Sequence, residues 1–162
     1  MIRPATAADT ESVAALWNGL IRDTTVTFTS REKTLAEVAE TIAARQRDGF
    51  TFLVAEHGNQ VAGFATYARF RGGDGYARCM EHSIHLEPLA RGQVLGRRLM
   101  QAIEDHARAR GTHSMIAGVS AENAGGLAFH TALGYRTIAT VPESGFKFGR
   151  WLDLVLMQKF LD

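Results

Sequence analysis

The chain contains a single cysteine, Cys79, in 162 residues. One thiol excludes an internal disulfide and a zinc site built from thiolates. An excess of one charge sign is also lacking: 18 Lys and Arg stand against 17 Asp and Glu, a net charge of +1. The basic residues nowhere gather into a long block. The concentrated positive face that a nucleic-acid backbone demands is missing, so no nucleic-acid partner is expected. No apolar run approaches the ~20 residues needed to span a bilayer. The opening Met1-Ile2-Arg3-Pro4-Ala5-Thr6 has no apolar signal-peptide core, so the expectation is a cytoplasmic protein without membrane contact. Internal repeats and low-complexity linkers are absent as well.

What remains is an ordinary globular composition, 46% hydrophobic and 22% charged. The length suits one domain over residues 1–162 with a substantial core. Ile2 to Ala5 is short and apolar and reads as a first strand. Thr6-Ala7-Ala8-Asp9 fits a capping box, and Val13, Leu16, Trp17 and Leu20 follow at the spacing of one helical face. Residues 22–33 are polar and Thr-rich, a loop. Thr34-Leu35-Ala36-Glu37 is a second capping box, and Leu35, Val38, Ala39 and Ile42 continue a helical stripe with Gly49 suited to its exit. Phe50 to Glu56 and Val61 to Phe70 are β-branched and aromatic, joined through His57-Gly58-Asn59-Gln60, the pattern of a hairpin. Arg71-Gly72-Gly73-Asp74-Gly75 reads as an exposed loop and Arg78 to Leu86 as the next strand. A helix carrying Leu95, Leu99, Ala102, Ile103 and His106 on one side ends at Gly111. Met115 to Val119 is a strand, Asn123 caps a helix to Leu133 closed by Gly134, and Tyr135 to Val141 and Trp151 to Lys159 are the last strands. The order βααβββαβαββ predicts an α/β (α+β) fold, a mixed central sheet with helices on both faces. Strand–helix–strand alternation in the second half implies locally parallel strands there.

The most informative stretch runs from Glu81-His82-Ser83-Ile84-His85-Leu86 through Arg91-Gly92-Gln93-Val94-Leu95-Gly96 into a helix. A Gly-containing turn points N–H groups at one spot, and the helix dipole adds positive charge there, which suits a pyrophosphate. An ordinary strand-to-helix connection with solvated arginines explains the local spacing as well. Glu81 sits among apolar neighbours, and burial raises a carboxyl pKa toward the range of a general base. A salt bridge to Arg69, Arg71 or Arg78 is the competing reading. His57, His82, His85, His106 and His113 lack metal-ligand spacing and are read as structural, so no metal is expected.

The element order and these motifs resemble the GNAT superfamily of acetyl-CoA-dependent N-acetyltransferases over essentially the whole chain. The resemblance rests on Ile2-Arg3-Pro4-Ala5-Thr6 with Asp9, on Arg91 to Gly96, and on Asn123 with Gly134-Tyr135. Within it, Met80-Glu81-His82-Ser83, the His130 segment and Phe146-Lys147-Phe148-Gly149-Arg150-Trp151-Leu152-Asp153-Leu154 look like the phosphinothricin and methionine sulfoximine acetyltransferase branch. The family's first motif glycine is Val94 here. A valine resists positive φ, so cofactor binding survives if the backbone at Val94 is ordinary.

The resemblance implies roles for particular residues. Glu81 would be the general base, directly or through water. His130 would protonate the leaving thiolate or donate a hydrogen bond to it. Ile84, His85 and Leu86 would hold the pantetheine arm and polarise the thioester carbonyl with backbone N–H groups. Arg91, Gly92, Gln93, Val94, Leu95, Gly96 and Arg97 would cradle the pyrophosphate, and Asn123 would contact acetyl-CoA through its amide. On the acceptor side, Arg71, Tyr76, Arg78 and Lys147 are candidates for an acidic group, and Phe28 for a hydrophobic wall. The expected reaction moves acetyl to the α-amine of a small amino-acid-like acid: phosphinothricin, methionine sulfoximine or methionine sulfone. Cys79 has no partner histidine in sequence and is not read as a nucleophile. A different amine acceptor, such as a protein N-terminus, and a non-catalytic acyl-CoA sensor are the rivals. The resemblance also implies a homodimer, with Trp151 to Met157 and Phe146-Lys147-Phe148 as contact candidates.

Overall fold

The computed structural model describes residues 1–90 and 94–162. Its elements follow the expected order: β1 (Ile2–Pro4), α1 (Thr10–Asp23), α2 (Leu35–Arg47), β2 (Phe52–His57), β3 (Gln60–Arg69), β4 (Cys79–Leu86), α3 (Val94–Ala109), β5 (Ser114–Ser120), α4 (Ala124–Ala132), β6 (Arg136–Lys147) and β7 (Arg150–Phe160). The seven strands form one sheet in the order β1-β2-β3-β4-β5-β7-β6. Only the β4–β5 pair is parallel, because α3 carries the chain back across the sheet between them. Every other neighbour pair is antiparallel.

The helices divide between the two faces as the sequence order implies. Val13, Leu16 and Leu20 of α1 and Val38 and Ile42 of α2 pack on Phe52, Val54 and Phe64. On the opposite face Leu99, Met100, Ile103 and Ala107 of α3 pack on Leu53, Ala55, Ala65, Tyr67, Met80, Met115 and Ala117. Neighbouring strand residues therefore feed different cores: Phe64 faces α1 and Ala65 faces α3. The hairpin turn at Gly58 and Asn59 has positive φ at both positions, the backbone of a type I′ turn.

Local capping holds the helices in register. At the start of α2, Glu37 N–H donates to Thr34 Oγ1 at 3.2 Å while the Glu37 carboxylate accepts from Thr34 N–H at 2.8 Å. At the first box the bond runs through Asp9: its carboxylate accepts from Thr6 N–H at 2.7 Å, and the Thr6 side chain makes no capping bond to the backbone. Arg3 donates to both oxygens of Asp9 at 2.8 Å and reaches Glu56 on β2 at 2.6 Å. One guanidinium thus ties β1, the start of α1 and β2 together.

The last hairpin is longer than the sequence pattern predicts. β6 runs through Pro142 to Lys147 as an edge strand, where a missing N–H costs no ladder bond. A register shift between Val141 and Gly145 accommodates Glu143 at φ 51°, whose N–H donates to Asp153 at 2.8 Å.

Hydrogen bonding to Arg3 holds the Asp9 carboxyl down at about 2, against an ordinary 3.8. A depressed carboxyl stabilises the fold above its unfolded pKa, and that contribution is lost as pH falls from 3.8 through about 2. Urea midpoints should therefore fall less steeply between these pH values for Asp9→Asn than for the wild type. Equal slopes would show that the Arg3–Asp9 pair adds no stability.

Candidate active site

The sheet opens between its two parallel strands. β4 and β5 stay in register from Cys79↔Ser114 to His82↔Ala117, where their pairing ends. Beyond that point each strand follows its antiparallel neighbour: β4 stays on β3 as far as Gly63↔Leu86, and β5 stays on β7 as far as Ser120↔Leu154. Along β4 the odd-numbered residues turn their backbone groups to β3. Cys79 O accepts from Phe70 N–H, and just past the strand Glu87 N–H donates to Ala62 O. Arg78 O, one residue out of step, faces β5 and accepts from His113 and Ser114. By this alternation the backbone groups of Ile84 and Leu86 point into the gap, beyond the end of the β4–β5 ladder.

A cleft of about 560 Å³ fills this gap, lined by Ile84, His85 and Leu86 on one side and by α3 and α4 on the other. Val94 opens α3 with an ordinary helical backbone, and its side chain is 68% exposed at the rim. Gly96 is buried: a Cβ there would lie 2.8 Å from Leu86 Cδ1, so its absence lets α3 approach β4. Asn123 caps α4 by accepting from Gly126 N–H at 2.8 Å. A Cβ on Gly126 would stand 2.4 Å from Asn123 Nδ2, so the glycine leaves room for the amide at the cleft.

A second cleft of about 260 Å³ shares Val26, Ile84, His85, Asn123 and His130 with the first and holds Glu81 on its wall. Glu81 is open to solvent through the cleft mouth, and a Cβ on Gly118 would lie 3.2 Å from its Oε1. Partial burial raises its pKa above the ordinary 4.5. No ion pair engages Glu81 among the described residues: Arg69, Arg71 and Arg78 leave it free, and the salt-bridge reading is not what the structure shows.

His130 stands where the two clefts meet. It is 6% exposed, and its Nδ1 lies 2.7 Å from Gly126 O. A carbonyl only accepts, so Nδ1 carries the proton. Burial lowers the His130 pKa below 6.5, so near neutral pH the ring is uncharged and Nε2 holds a lone pair. That Nε2 is buried and has no hydrogen-bond partner among the described residues. His82 stacks on the same ring at 5.1 Å, and burial pushes its pKa well below 6.5. Beneath both rings, edge-on, lies Tyr135, whose hydroxyl donates to Glu104 at 3.1 Å; Lys159 holds the other Glu104 oxygen at 2.6 Å.

An opened parallel pair, a carboxyl of raised pKa and a buried histidine whose Nε2 has no partner among the described residues meet at one place. Residues 14–135 match the family model for the acetyltransferase (GNAT) family. The chain belongs to that family.

The chain is 36% identical over 161 residues to the L-methionine sulfoximine/L-methionine sulfone acetyltransferase of Salmonella typhimurium, covering 99% of this chain and 94% of the relative. Phosphinothricin N-acetyltransferase of Streptomyces coelicolor is 27% identical over 98% of this chain and 94% of its own. A Salmonella typhimurium acetyltransferase solved with acetyl-CoA superposes with a TM-score of 0.95 at 36% identity, covering 100% of this chain and 94% of that one. The protein is an acetyltransferase, and the fold and branch expected from its motifs are those of its relatives.

Not every expected site residue of this acetyltransferase reaches a cleft. Ile84, His85, Leu86, Val94, Gly96, Arg97 and Asn123 line the first one, whereas Leu95 turns its side chain to the α3 core. Arg91, Gly92 and Gln93 lie outside the described residues. Phe28 lines the second cleft. Arg71 and Tyr76 sit together on the exposed loop before β4, 5.8 Å from guanidinium carbon to ring centre, and line neither cleft. Arg78 lies at the opposite end of β4 from the gap, against the start of β5. Lys147 is 3% exposed and bonded to backbone carbonyls, away from both linings. Thr27, Thr29, Ser83 and Ser120 line the second cleft and were not anticipated. The two-residue strand period does carry a signal for Ser83, which shares a strand face with Glu81.

His106 and His113 take the expected structural roles, bonded to Tyr67 and Asp162. His82, expected to be structural, lines the second cleft as well. Glu104 is 2% exposed, so its pairing under the histidines carries a sharp stability prediction. Lys159→Met should destabilise the fold by about 3–5 kcal/mol, because a buried carboxylate loses its counter-charge. Adding Glu104→Gln should recover most of that loss in denaturant titrations. A single variant as stable as the wild type would contradict the pairing.

Proposed function

We propose that the acetyltransferase moves acetyl from acetyl-CoA to the α-amine of a small amino-acid-like acid, with Glu81 as general base. The carrying observation is the position of Glu81: without an ion pair among the described residues, raised in pKa, and in a cleft that joins the first cleft at His130 and Asn123. An amine must be neutral to attack a thioester, and a carboxylate removes its proton best when its own pKa approaches the working pH. Acetyl-CoA fits the first cleft through features of this chain: the backbone groups of Ile84 and Leu86 facing the gap, the Asn123 amide, and the open rim at Val94. Val94 keeps a helical backbone with its side chain turned out, which removes the motive for a non-catalytic sensor.

The protons balance through two groups. Glu81 takes one from the acceptor ammonium and releases it to solvent through the cleft mouth. When the amine has added to the thioester carbonyl, its nitrogen carries one proton too many. His130 Nε2 accepts that proton and gives it to the departing sulfur as the carbon–sulfur bond breaks. A neutral ring with a free Nε2 lone pair is the form this transfer needs at its start. The N–H groups of Ile84 and Leu86 stabilise the oxyanion.

The second cleft selects among the expected acceptors. Its described polar lining is Thr27, Thr29, Ser83, Ser120 and Asn123 with Glu81 and the histidines, and it contains no Lys or Arg. Hydroxyls suit the neutral oxygens of methionine sulfone and methionine sulfoximine. The anionic phosphinate of phosphinothricin meets no described cation there. Relatives named for the sulfoximine and sulfone substrates are 36–37% identical, against 27–31% for those named for phosphinothricin. The exposed Phe146, Phe148 and Trp151, at 55%, 57% and 60%, form the contact of a homodimer in this reading. Leu152, Val155 and Met157 of the same strand are buried and take no part.

Thiol release with acetyl-CoA and a panel of amines tests the proposal. Methionine sulfone should exceed phosphinothricin in kcat/KM by about tenfold or more, some 1.4 kcal/mol. Glu81→Gln should cut kcat by about 10²–10⁴-fold while calorimetry shows acetyl-CoA still bound. A base works unprotonated, so wild-type activity should fall as pH drops through a pKa above 4.5, and Glu81→Gln should lose that limb. A glutamine variant with wild-type turnover would remove Glu81 from the mechanism.

A further inference from the structure

The segment Phe146-Lys147-Phe148-Gly149-Arg150-Trp151 stands out in the sequence, yet it lines neither cleft among the described residues. It meets instead the loop that walls the second cleft. Lys147 Nζ donates to the carbonyls of Thr24 at 2.6 Å and Thr27 at 2.8 Å. The side chain is 3% exposed and no carboxylate pairs with it among the described residues. A buried ammonium without a counter-ion is costly, so these carbonyl bonds carry its compensation.

Two further ties converge on the same loop. Gly145 leaves room for Phe28, since a Cβ there would lie 2.3 Å from Phe28 Cδ2. Arg150 forks onto Glu122, whose Oε2 also accepts from Thr25 Oγ1 at 3.0 Å. One hairpin turn therefore fixes residues 24, 25, 27 and 28 together. Val26, Thr27, Phe28 and Thr29 are the segment of this loop that lines the cleft of Glu81.

We propose that Lys147 is a positioning residue for acceptor recognition: its two carbonyl bonds set the loop that places Phe28 in the cleft holding Glu81. It acts through the loop and does not touch the acceptor. This rests on the reading of the second cleft as the acceptor pocket.

Full-length Lys147→Met tests it through two readouts. Hydrogen exchange without substrates should quicken at the amides of residues 24–29. The acceptor KM should rise by about tenfold, the scale of one charge-assisted bond lost, while the acetyl-CoA KM changes far less. Gly145→Ala, which crowds the Phe28 ring, should give the same KM split and serves if Lys147→Met fails to fold. Unchanged exchange at residues 24–29 would overturn the latch itself. Quickened exchange with an unchanged acceptor KM would overturn the positioning role alone, because the acceptor-pocket reading is tested separately by the kinetics of Glu81→Gln.

Discussion

The structure depends on the parting of two strands. β4 and β5 pair for four residues and then separate, because each continues along its antiparallel neighbour in a twisting sheet. Separation turns a stretch of ladder into a row of backbone groups that face a gap instead of a neighbouring strand. Such groups need partners, and in the proposed function the amide-bearing pantetheine arm of acetyl-CoA would supply them. The same separation makes room for the N-termini of α3 and α4, so Val94, Gly96 and Asn123 come to one cleft from distant parts of the chain.

The strand period then sorts the chemistry. Glu81 and His82 are consecutive and leave β4 on opposite faces. Glu81 enters the smaller cleft on the side of Gly118, while His82 stacks on His130 above the Tyr135–Glu104–Lys159 chain. Burial acts on both sides with opposite sign: it raises the carboxyl and lowers the imidazoles. The two shifts run toward one another, in the sense the proposed base and relay require.

Much of this was legible in the sequence. The order of elements follows from hydrophobic periods and caps, which are local, and Thr34–Glu37, Asn123 and the Gly58-Asn59 turn behave as their residue types dictate. Glu81, Asn123 and Ile84 to Leu86 were accessible through their motif context. Lys147 was a candidate for an acidic group, but its carbonyl bonds were not legible, because Thr24 and Thr27 lie about 120 residues away and only the closed hairpin brings them together. The cations Arg71 and Arg78 were chosen for their charge, although Arg71 already read as part of an exposed loop, and charge does not reveal that Arg78 lies at the far end of β4 from the gap. Leu95 holds both places: the helical period assigns its side chain to the core, as the structure has it, and the pyrophosphate reading concerns its backbone N–H.

The most direct test of the parted strands is residue-resolved hydrogen exchange on the intact protein, with and without acetyl-CoA. The amides of Ile84 and Leu86 should exchange readily in the free protein and become protected when acetyl-CoA is added, while those of Ser83 and His85, already paired to β3, should change little. Acetyl-CoA that binds without protecting residues 84 and 86 would contradict the account.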